Sequence, residues 1–236
     1  MEKKLGLGVL LIVFGGIVLL SGCAQQQETN TGNFVLAIKD NAPDMSLIGK
    51  VELTVSNISI HNAGTDSWIT LSDQTQQFSL LELQNVQALA ANKDLNAGTY
   101  NQLRFSIDRV SVEYNGTTQE AKLPSNTLKL STIIEIDANK TSIATLDFDL
   151  NRSFHLTGNG KIIMLPVIKV VSERDSNVEV DYTNKVSITV HGIQTDNSEI
   201  GTDLSGNTGN GVQVSQGKEL EIGDNGRIRE KQNEGD

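Results

Sequence analysis

The residue with the clearest chemical role is Cys23, the only cysteine in the chain. It follows Leu20, Ser21 and Gly22, so that an aliphatic residue and two small residues precede the thiol. This is the lipobox pattern, in which a peptidase cuts beside narrow side chains and the thiol accepts a diacylglyceryl group. Two acyl chains anchor a protein stably to a bilayer, whereas one holds it only weakly. The pattern therefore predicts lipidation at Cys23.

The residues before Cys23 favour an export signal. Lys3 and Lys4 form a short basic start, and residues 5–20 carry no charge and no strongly polar side chain. A basic start, an apolar run and a small-residue cleavage site are typical of a secretory signal peptide. The alternative is a retained transmembrane helix, which needs about 20 apolar residues. We predict that residues 1–22 are a signal peptide and that the mature chain faces the outside or the periplasm.

Two carboxylates and an amide form a second pattern of chemical interest. Asp147, Asp149 and Asn151 alternate along a predicted strand and would share one of its faces. Asp-x-Asp-x-Asn also opens a calcium loop, but Arg152 stands where that loop needs glycine and Gly158 where it needs glutamate. Three interpretations are open: a solvated face with Arg152 paired to an aspartate, a Ca²⁺ site, or catalytic carboxylates. The first is favoured, so we expect no metal and no cofactor beyond the lipid.

Other catalytic patterns are missing from the sequence. There is no Gly-x-Ser-x-Gly elbow, and the three histidines have no partner at metal-ligand spacing. Sequons at Asn115 and Asn139, both at predicted turns, are candidate glycosylation sites if the host modifies exported proteins. We expect a protein that is not an enzyme.

Charge and composition limit the partners and the fold. The chain carries a formal charge of −10. Removal of residues 1–22, with two lysines and one glutamate, would leave −11. This balance argues against nucleic acid as a partner. Aromatic residues make up 4 % of the chain and there are three prolines, while Val, Ile, Thr and Ser are abundant. That composition favours strands.

Alternating apolar residues predict about nine short strands, the first through Phe34, Leu36 and Ile38. A change of parity near Asn57 predicts a β-bulge, and Asn115-Gly116 predicts a two-residue hairpin turn. Residues 82–91 have helical spacing and predict one short helix. The fold class is all-β, an antiparallel β-sandwich of the Ig-like or prealbumin-like kind.

The predicted organisation has four parts after the signal peptide. Residues 23–33 form a polar tether, 34–174 the sandwich, and 175–195 an added β-hairpin at its edge or in a small second unit. Residues 196–236 are rich in Gly, Asn, Ser and Glu and have no aromatic residue. They have too few apolar side chains to offset the entropy of ordering, so we predict a disordered tail.

From about Gly32 to Glu173 the chain resembles the DUF4382 family of exported bacterial and archaeal proteins. Six segments, in order, carry the resemblance: residues 36–43 (LAIKDNAP), 68–71 (WITL), 78–83 (FSLLEL), 97–104 (AGTYNQLR), 146–149 (LDFD), and 157–161 (TGNGK) leading into 165–170 (LPVIKV). Asn41 departs slightly, since the family usually has an acidic or small residue there. The resemblance implies a β-sandwich on the cell exterior and no assigned activity.

Together these features predict a membrane-anchored lipoprotein whose sandwich binds an envelope protein or glycan or has a structural part. The first alternative is an exported carbohydrate-active hydrolase that uses Asp147, Asp149 or Glu82. A transporter-linked solute-binding protein is a second alternative, but that class alternates helices with strands and this chain does not.

Overall fold

The structure, a computed structural model, describes residues 30–40, 47–210 and 218–231. The predicted signal peptide, Cys23 and most of the tether lie outside the described residues. None of the helices in the described ranges is both long and apolar enough to cross a bilayer.

Strands dominate the described ranges. They are β1 (Thr31–Asp40), β2 (Ile48–Asn62), β3 (Ser67–Ser72), β4 (Gln76–Ser79), β5 (Gln87–Asn96), β6 (Gly98–Tyr114), β7 (Thr117–Glu120), β8 (Thr127–Ile136), β9 (Thr141–Phe148), β10 (Phe154–Leu156), β11 (Ile162–Met164), β12 (Ile168–Arg174), β13 (Asn177–Val180), β14 (Lys185–Val190), β15 (Ile193–Thr202), β16 (Thr208–Asn210), β17 (Leu220–Ile222) and β18 (Ile228–Glu230). A 3₁₀ turn spans Leu80–Leu83, and the single α-helix of the described ranges, α1, spans Leu150–Ser153.

Two large sheets define the architecture. Sheet I has the order β13-β14-β5-β1-β9-β12-β15-β16. Sheet II has the order β3-β2-β6-β7, with β4 also paired to β2 and β8 to β6. Neighbours are antiparallel except for β1 and β9, which run parallel in the centre of sheet I. The smaller pairs are β10-β11 and β17-β18.

The main core contains apolar side chains from both large sheets. Phe34 and Phe148 enter it from sheet I, while Leu53, Leu103 and Phe105 enter it from sheet II, and each is at most 1 % exposed. Along strands such as β2 and β8 buried residues alternate with more exposed ones, which is why a pattern of period two predicted them. The central strands β1 and β9 are buried on both faces. The predicted all-β sandwich class is confirmed.

Local turn chemistry also follows the sequence. The register of β2 against β6 shifts between Val55 and Asn57, where the bulge was predicted. Asn115 (φ 50°) and Gly116 (φ 73°) both have left-handed backbone and join β6 to β7. Such angles are those of the type I′ turn that Asn-Gly favours.

Two expectations about local structure were wrong. The predicted helix at 82–91 is a 3₁₀ turn followed by the start of β5, because Gln87, Ala88 and Leu89 pair with β1 or β14 instead. The one α-helix among the residues that the structure describes is α1, which lies outside that range. The tether ends earlier than residue 33, since β1 begins at Thr31.

The segment predicted to be a disordered tail instead carries strands. β15 pairs with β12 from Ile193 to Ile200, and Ile200 joins the main core at 1 % exposure. Leu220 and Ile228, on β17 and β18, pack in a second apolar cluster with Leu165. Composition alone missed these contacts because a few apolar residues suffice when an existing sheet offers an open edge. The hairpin β13-β14 pairs with β5 and so lies at one edge of sheet I, which is the first of the two positions predicted for it.

Candidate functional site

The predicted Asp-x-Asp-x-Asn site is split between two elements. Asp147 lies in β9, but that strand ends at Phe148. Asp149 is the N-cap of α1, and its Oδ1 accepts a hydrogen bond from the backbone N–H of Arg152 at 3.1 Å. Asn151 lies within α1. The expected shared strand face therefore does not exist, because the chain turns into a helix after Phe148.

Basic residues neighbour Asp147 in the sheet. Its Oδ2 lies 3.0 Å from Nζ of Lys39, its register partner on β1, and Lys169 is its register partner on β12. Asp147 is 8 % exposed, and its buried Oδ1 has no hydrogen-bond partner. Arg152 was expected to pair with an aspartate. Its Nη1 does form an ion pair with Oδ2 of Asp149, at 3.8 Å, but Oε2 of Glu199 is nearer, at 2.8 Å.

An open groove of about 430 Å³ lies beside these residues. We call it the Asp147 groove, and its walls mix acidic with basic side chains: Asp147, Asp149, Asn151, Arg152, Val167, Lys169 and Glu199. Within the described ranges, no three His, Cys, Asp or Glu side chains are grouped so that they could hold a metal ion. A Ca²⁺ site at Asp147, Asp149 and Asn151 stays the less favoured interpretation of these residues.

A second candidate site lies on the outer face of sheet II. Register places Trp68 of β3 beside His61 of β2, and His61 beside Gln102 of β6. One step along the strands, Arg104 of β6 is beside Lys129 of β8. Alternation points these five side chains away from the core, since their neighbours Ile60, Leu103 and Leu130 are fully buried. We call these five residues the Trp68 patch.

The side chains of the patch are stacked on one another. The guanidinium carbon of Arg104 lies 3.9 Å from the centroid of the Trp68 ring, which is cation–π distance. The ring of His61 lies 4.9 Å from that of Trp68, tilted by 48°. His61 is itself held at both nitrogens, Nδ1 by Asn101 at 2.8 Å and Nε2 by Asp66 at 3.1 Å. The indole ring therefore packs against side chains that are themselves held in place.

Trp68 covers its neighbours and stays open to solvent on its other side. Trp68 is 40 % exposed, whereas Nε of Arg104 is fully covered and has no hydrogen-bond partner. The guanidinium therefore lies beneath the ring. Besides the ring, its partner is Gln102, whose Oε1 accepts a hydrogen bond from Nη2 at 3.4 Å. No carboxylate of the described chain lies within ion-pair distance of Arg104.

The patch is basic on an acidic chain. Arg104 and Lys129 are neighbours, and Lys93 approaches from β5, where its Nζ donates to the carbonyl of Thr70 at 2.6 Å. The carboxylate that contacts the patch is that of Asp66, whose side chain is 95 % exposed and points at His61. Since the whole chain carries −10, the sign of charge is reversed locally.

Sequence reasoning did not find this patch. Trp68 entered the prediction only within the DUF4382-like segment 68–71, because a single aromatic residue gives no periodic signal. One signal was present in the sequence. The chain's one tryptophan has the same parity as the polar residue Thr70, which indicates that it lies on the polar face of this short strand. Its stacking on Arg104 joins residues 36 positions apart and needs the sheet register.

The candidate glycosylation sites are accessible. Asn115 and Asn139 are exposed, and both have left-handed backbone, at φ 50° and 58°, in turns between strands. Whether they carry sugar stays a prediction.

The geometry defines a class of protein, an all-β sandwich-like domain with an exposed polar and aromatic sheet face. The model of the family described as a domain of unknown function, DUF4382, matches residues 31–166, which is more than half of the chain. The chain belongs to this family. No curated protein and no solved structure was found to match it. The narrower choice between an Ig-like and a prealbumin-like sandwich stays a prediction.

Proposed function

We propose that this protein is an envelope lipoprotein, anchored through a diacylglyceryl group on Cys23, whose sandwich is a non-catalytic binding module for a glycan or an envelope partner. The location rests on the sequence Leu20-Ser21-Gly22-Cys23 behind a basic and apolar leader. The binding role rests on one observation, the Trp68 patch. Because the indole is already held in place and is open to solvent, a ligand that packs against it would cost little further side-chain entropy.

The groove favours one alternative, a carbohydrate-active hydrolase. Asp147 and Asp149 both line an open groove, as a pair of catalytic carboxylates would. Each carboxylate is engaged, however: that of Asp147 by Lys39 and that of Asp149 by the N–H that it caps. A retaining or inverting mechanism needs one free carboxyl to protonate the leaving group. We therefore favour a binding role over a hydrolytic one.

The anchor is tested by Cys23→Ser. The wild-type protein should incorporate labelled fatty acid and appear as a processed form, and the variant should do neither. On intact cells or spheroplasts, added protease should degrade the wild-type sandwich. Equal labelling of the two forms, or protection from protease, would contradict the proposed location.

The binding role is tested by electrophoresis of the full chain, in detergent, through gels that contain acidic or neutral polysaccharides. Retardation by at least one of them is expected, without release of reducing ends. Release of reducing ends that is lost in Asp147→Asn would support the hydrolase instead. A chain retarded by none of these polysaccharides would contradict a glycan-binding role.

A further inference from the structure

We infer that the Trp68 patch binds an acidic polysaccharide, with a sugar ring on the open face of Trp68 and a sugar carboxylate against Arg104. This deepens the proposed function and rests on it. The inference names the class of ligand, a chain of uronic acid units, and the residues that select it.

The stack is the first support. Trp68 is 40 % exposed while its inner face is occupied by Arg104 and His61. Its outer face is thus a fixed apolar plane on a sheet surface. The C–H groups on one side of a pyranose ring form a matching apolar face, and an aromatic ring can cover them without moving. The cation beneath is stabilised by the same ring, so the stack is built before the ligand arrives.

The unsatisfied guanidinium is the second support. Nε of Arg104 is buried without a partner, and the described residues provide no carboxylate for this side chain. A covered donor left unpaired is costly, and a charged donor more so. An arginine fork binds a carboxylate in two parallel hydrogen bonds. Arg104 as a whole is partly exposed, so a ligand carboxylate at the edge of the indole would meet the guanidinium at its terminal nitrogens rather than at the covered Nε. It would give Arg104 the anion that the described residues do not.

The surroundings extend the site across the sheet. From β3 to β8 there are three strand steps, about 14 Å at ~4.8 Å for each step. This is longer than a monosaccharide, so the surface suits a chain of sugars with repeated charges. Lys129 lies at the far end, and Ser59, Thr70, Gln102 and Ser131 are short or uncharged polar side chains along the way. They supply hydrogen bonds to hydroxyl groups and leave the surface flat.

The density of charge on the ligand favours a uronic acid chain over nucleic acid and over a neutral glycan. Nucleic acid also combines phosphate charge with faces that stack, but its dense charge would meet a chain of −10 with only a few local cations. A uronic acid chain has one charge for each bulky ring, so fewer of its charges approach the acidic remainder of the protein. A neutral glycan would leave Arg104 with Gln102 and the Trp68 ring but without an anionic partner.

The chain provides its own probe, because Trp68 is its only tryptophan. The full chain in detergent is titrated with a defined oligogalacturonate, and indole fluorescence and quenching by acrylamide are followed. The expected result is a saturable change with protection from acrylamide. The fully methyl-esterified oligomer, which has the same rings without the charge, should bind about tenfold more weakly or worse.

Two variants assign the contact. Arg104→Gln should weaken binding of the acidic oligomer by about tenfold, which is one unit in log Kd, and should narrow its preference over the ester. Arg109→Gln is the matched control. Arg109 is an exposed arginine on the same strand, about 17 Å away at ~3.4 Å for each residue, and its replacement should leave the affinity unchanged. Melting curves establish that each variant is folded.

The inference is overturned if the ester binds as tightly as the acid, if Arg104→Gln keeps full affinity, or if polyglutamate protects Trp68 as well as the sugar does. Should Arg104→Gln fail to fold, the comparison of acid with ester still decides the question on the wild-type chain. Binding of the ester and the acid alike would leave a glycan-binding module without selectivity for charge, so the proposed function would survive. Failure of both oligomers, and of every polysaccharide in the gels, would remove the inference and the glycan-binding role together.

Discussion

Replacing Asp196 by alanine should destabilise the sandwich, because this side chain joins β15 of sheet I to β8 of sheet II. Its Oδ2 accepts hydrogen bonds from Oγ1 of Thr132 at 2.6 Å and from the backbone N–H of Ile133 at 3.0 Å. Its Oδ1 accepts one from Ser198 on its own strand. The expected loss comes from the two bonds that cross between the sheets.

The size of the destabilisation depends on which hydrogen-bond partners remain for each donor in the variant. A hydrogen bond to a charged group contributes about 1.5–3 kcal/mol net. Thr132 is 4 % exposed, but Oγ of Ser172 lies 3.5 Å from its hydroxyl as a weaker substitute. Ile133 is 51 % exposed, so water can reach its N–H in the variant. We therefore expect a loss of about 2–3 kcal/mol rather than the full value for two bonds. For a chain of this size that lowers Tm by roughly 4–12 °C.

The effect should depend on pH. Burial raises the pKa of Asp196, but the hydrogen bonds from Ser198, Thr132 and the backbone outweigh burial and hold that pKa below its ordinary value. A carboxyl whose pKa is lowered by folding stabilises the protein above its unfolded pKa, about 3.9 for aspartate. That contribution is lost as the pH falls through the lower folded pKa. The difference between wild type and variant should thus be full at pH 7 and shrink below about pH 4.

The assay is thermal unfolding followed by circular dichroism between pH 2.5 and pH 7. Asp224→Ala is the control, since Asp224 is exposed and makes no hydrogen bond or ion pair with the described residues. Its Tm should stay within about 2 °C of wild type. An Asp196→Ala protein that melts with the control at pH 7 would refute the reasoning, as would a difference that grows on acidification.

Three further predictions concern the termini, the core and the groove. A chain that ends at residue 195 should melt well below the full chain, because it loses most of β15 and the buried Ile200; equal midpoints would mean that this strand contributes nothing. Phe148→Ala should cost about 3–5 kcal/mol in urea unfolding, since the ring is 1 % exposed in the main core, and a near wild-type midpoint would contradict that packing. Millimolar Ca²⁺ should leave Tm unchanged, because Lys39 pairs with Asp147 and Asp149 caps α1. A rise of several degrees that is lost in Asp149→Asn would instead establish a cation site.

Sequence reasoning reached the strands that have a clear alternation and the turns that need special backbone. Phe34, Leu36 and Ile38 announce β1, and Asn115-Gly116 announces the turn after β6, because burial of one face and left-handed backbone are local demands on residue type. It failed at residues 82–91, where spacing that suits a helix was overridden by the open edge of β1. A strand partner distant in sequence leaves no trace in a short window.

The candidate sites divide in the same way. Asp147 lies on β9 as predicted, but the chain turns into α1 after Phe148, so Asp147 and Asp149 share a groove and not one strand face. The stack of Trp68 on Arg104 could not be read at all, since it depends on how β3, β2 and β6 align. The link from Asp196 to Thr132 joins two sheets across 64 residues and turned a presumed tail into part of the fold.

By itself, then, the sequence determined the all-β class and the family and predicts lipidation at Cys23, because periodicity, turn residues and a cleavage pattern each occupy a few adjacent positions. The tertiary structure decided which strands pair, where the C-terminal segment packs and which side chains meet on the outer face of sheet II. Those outcomes depend on sheet register. A shift of one residue would turn the side chains of the Trp68 patch toward the core and the buried leucines and isoleucines toward solvent.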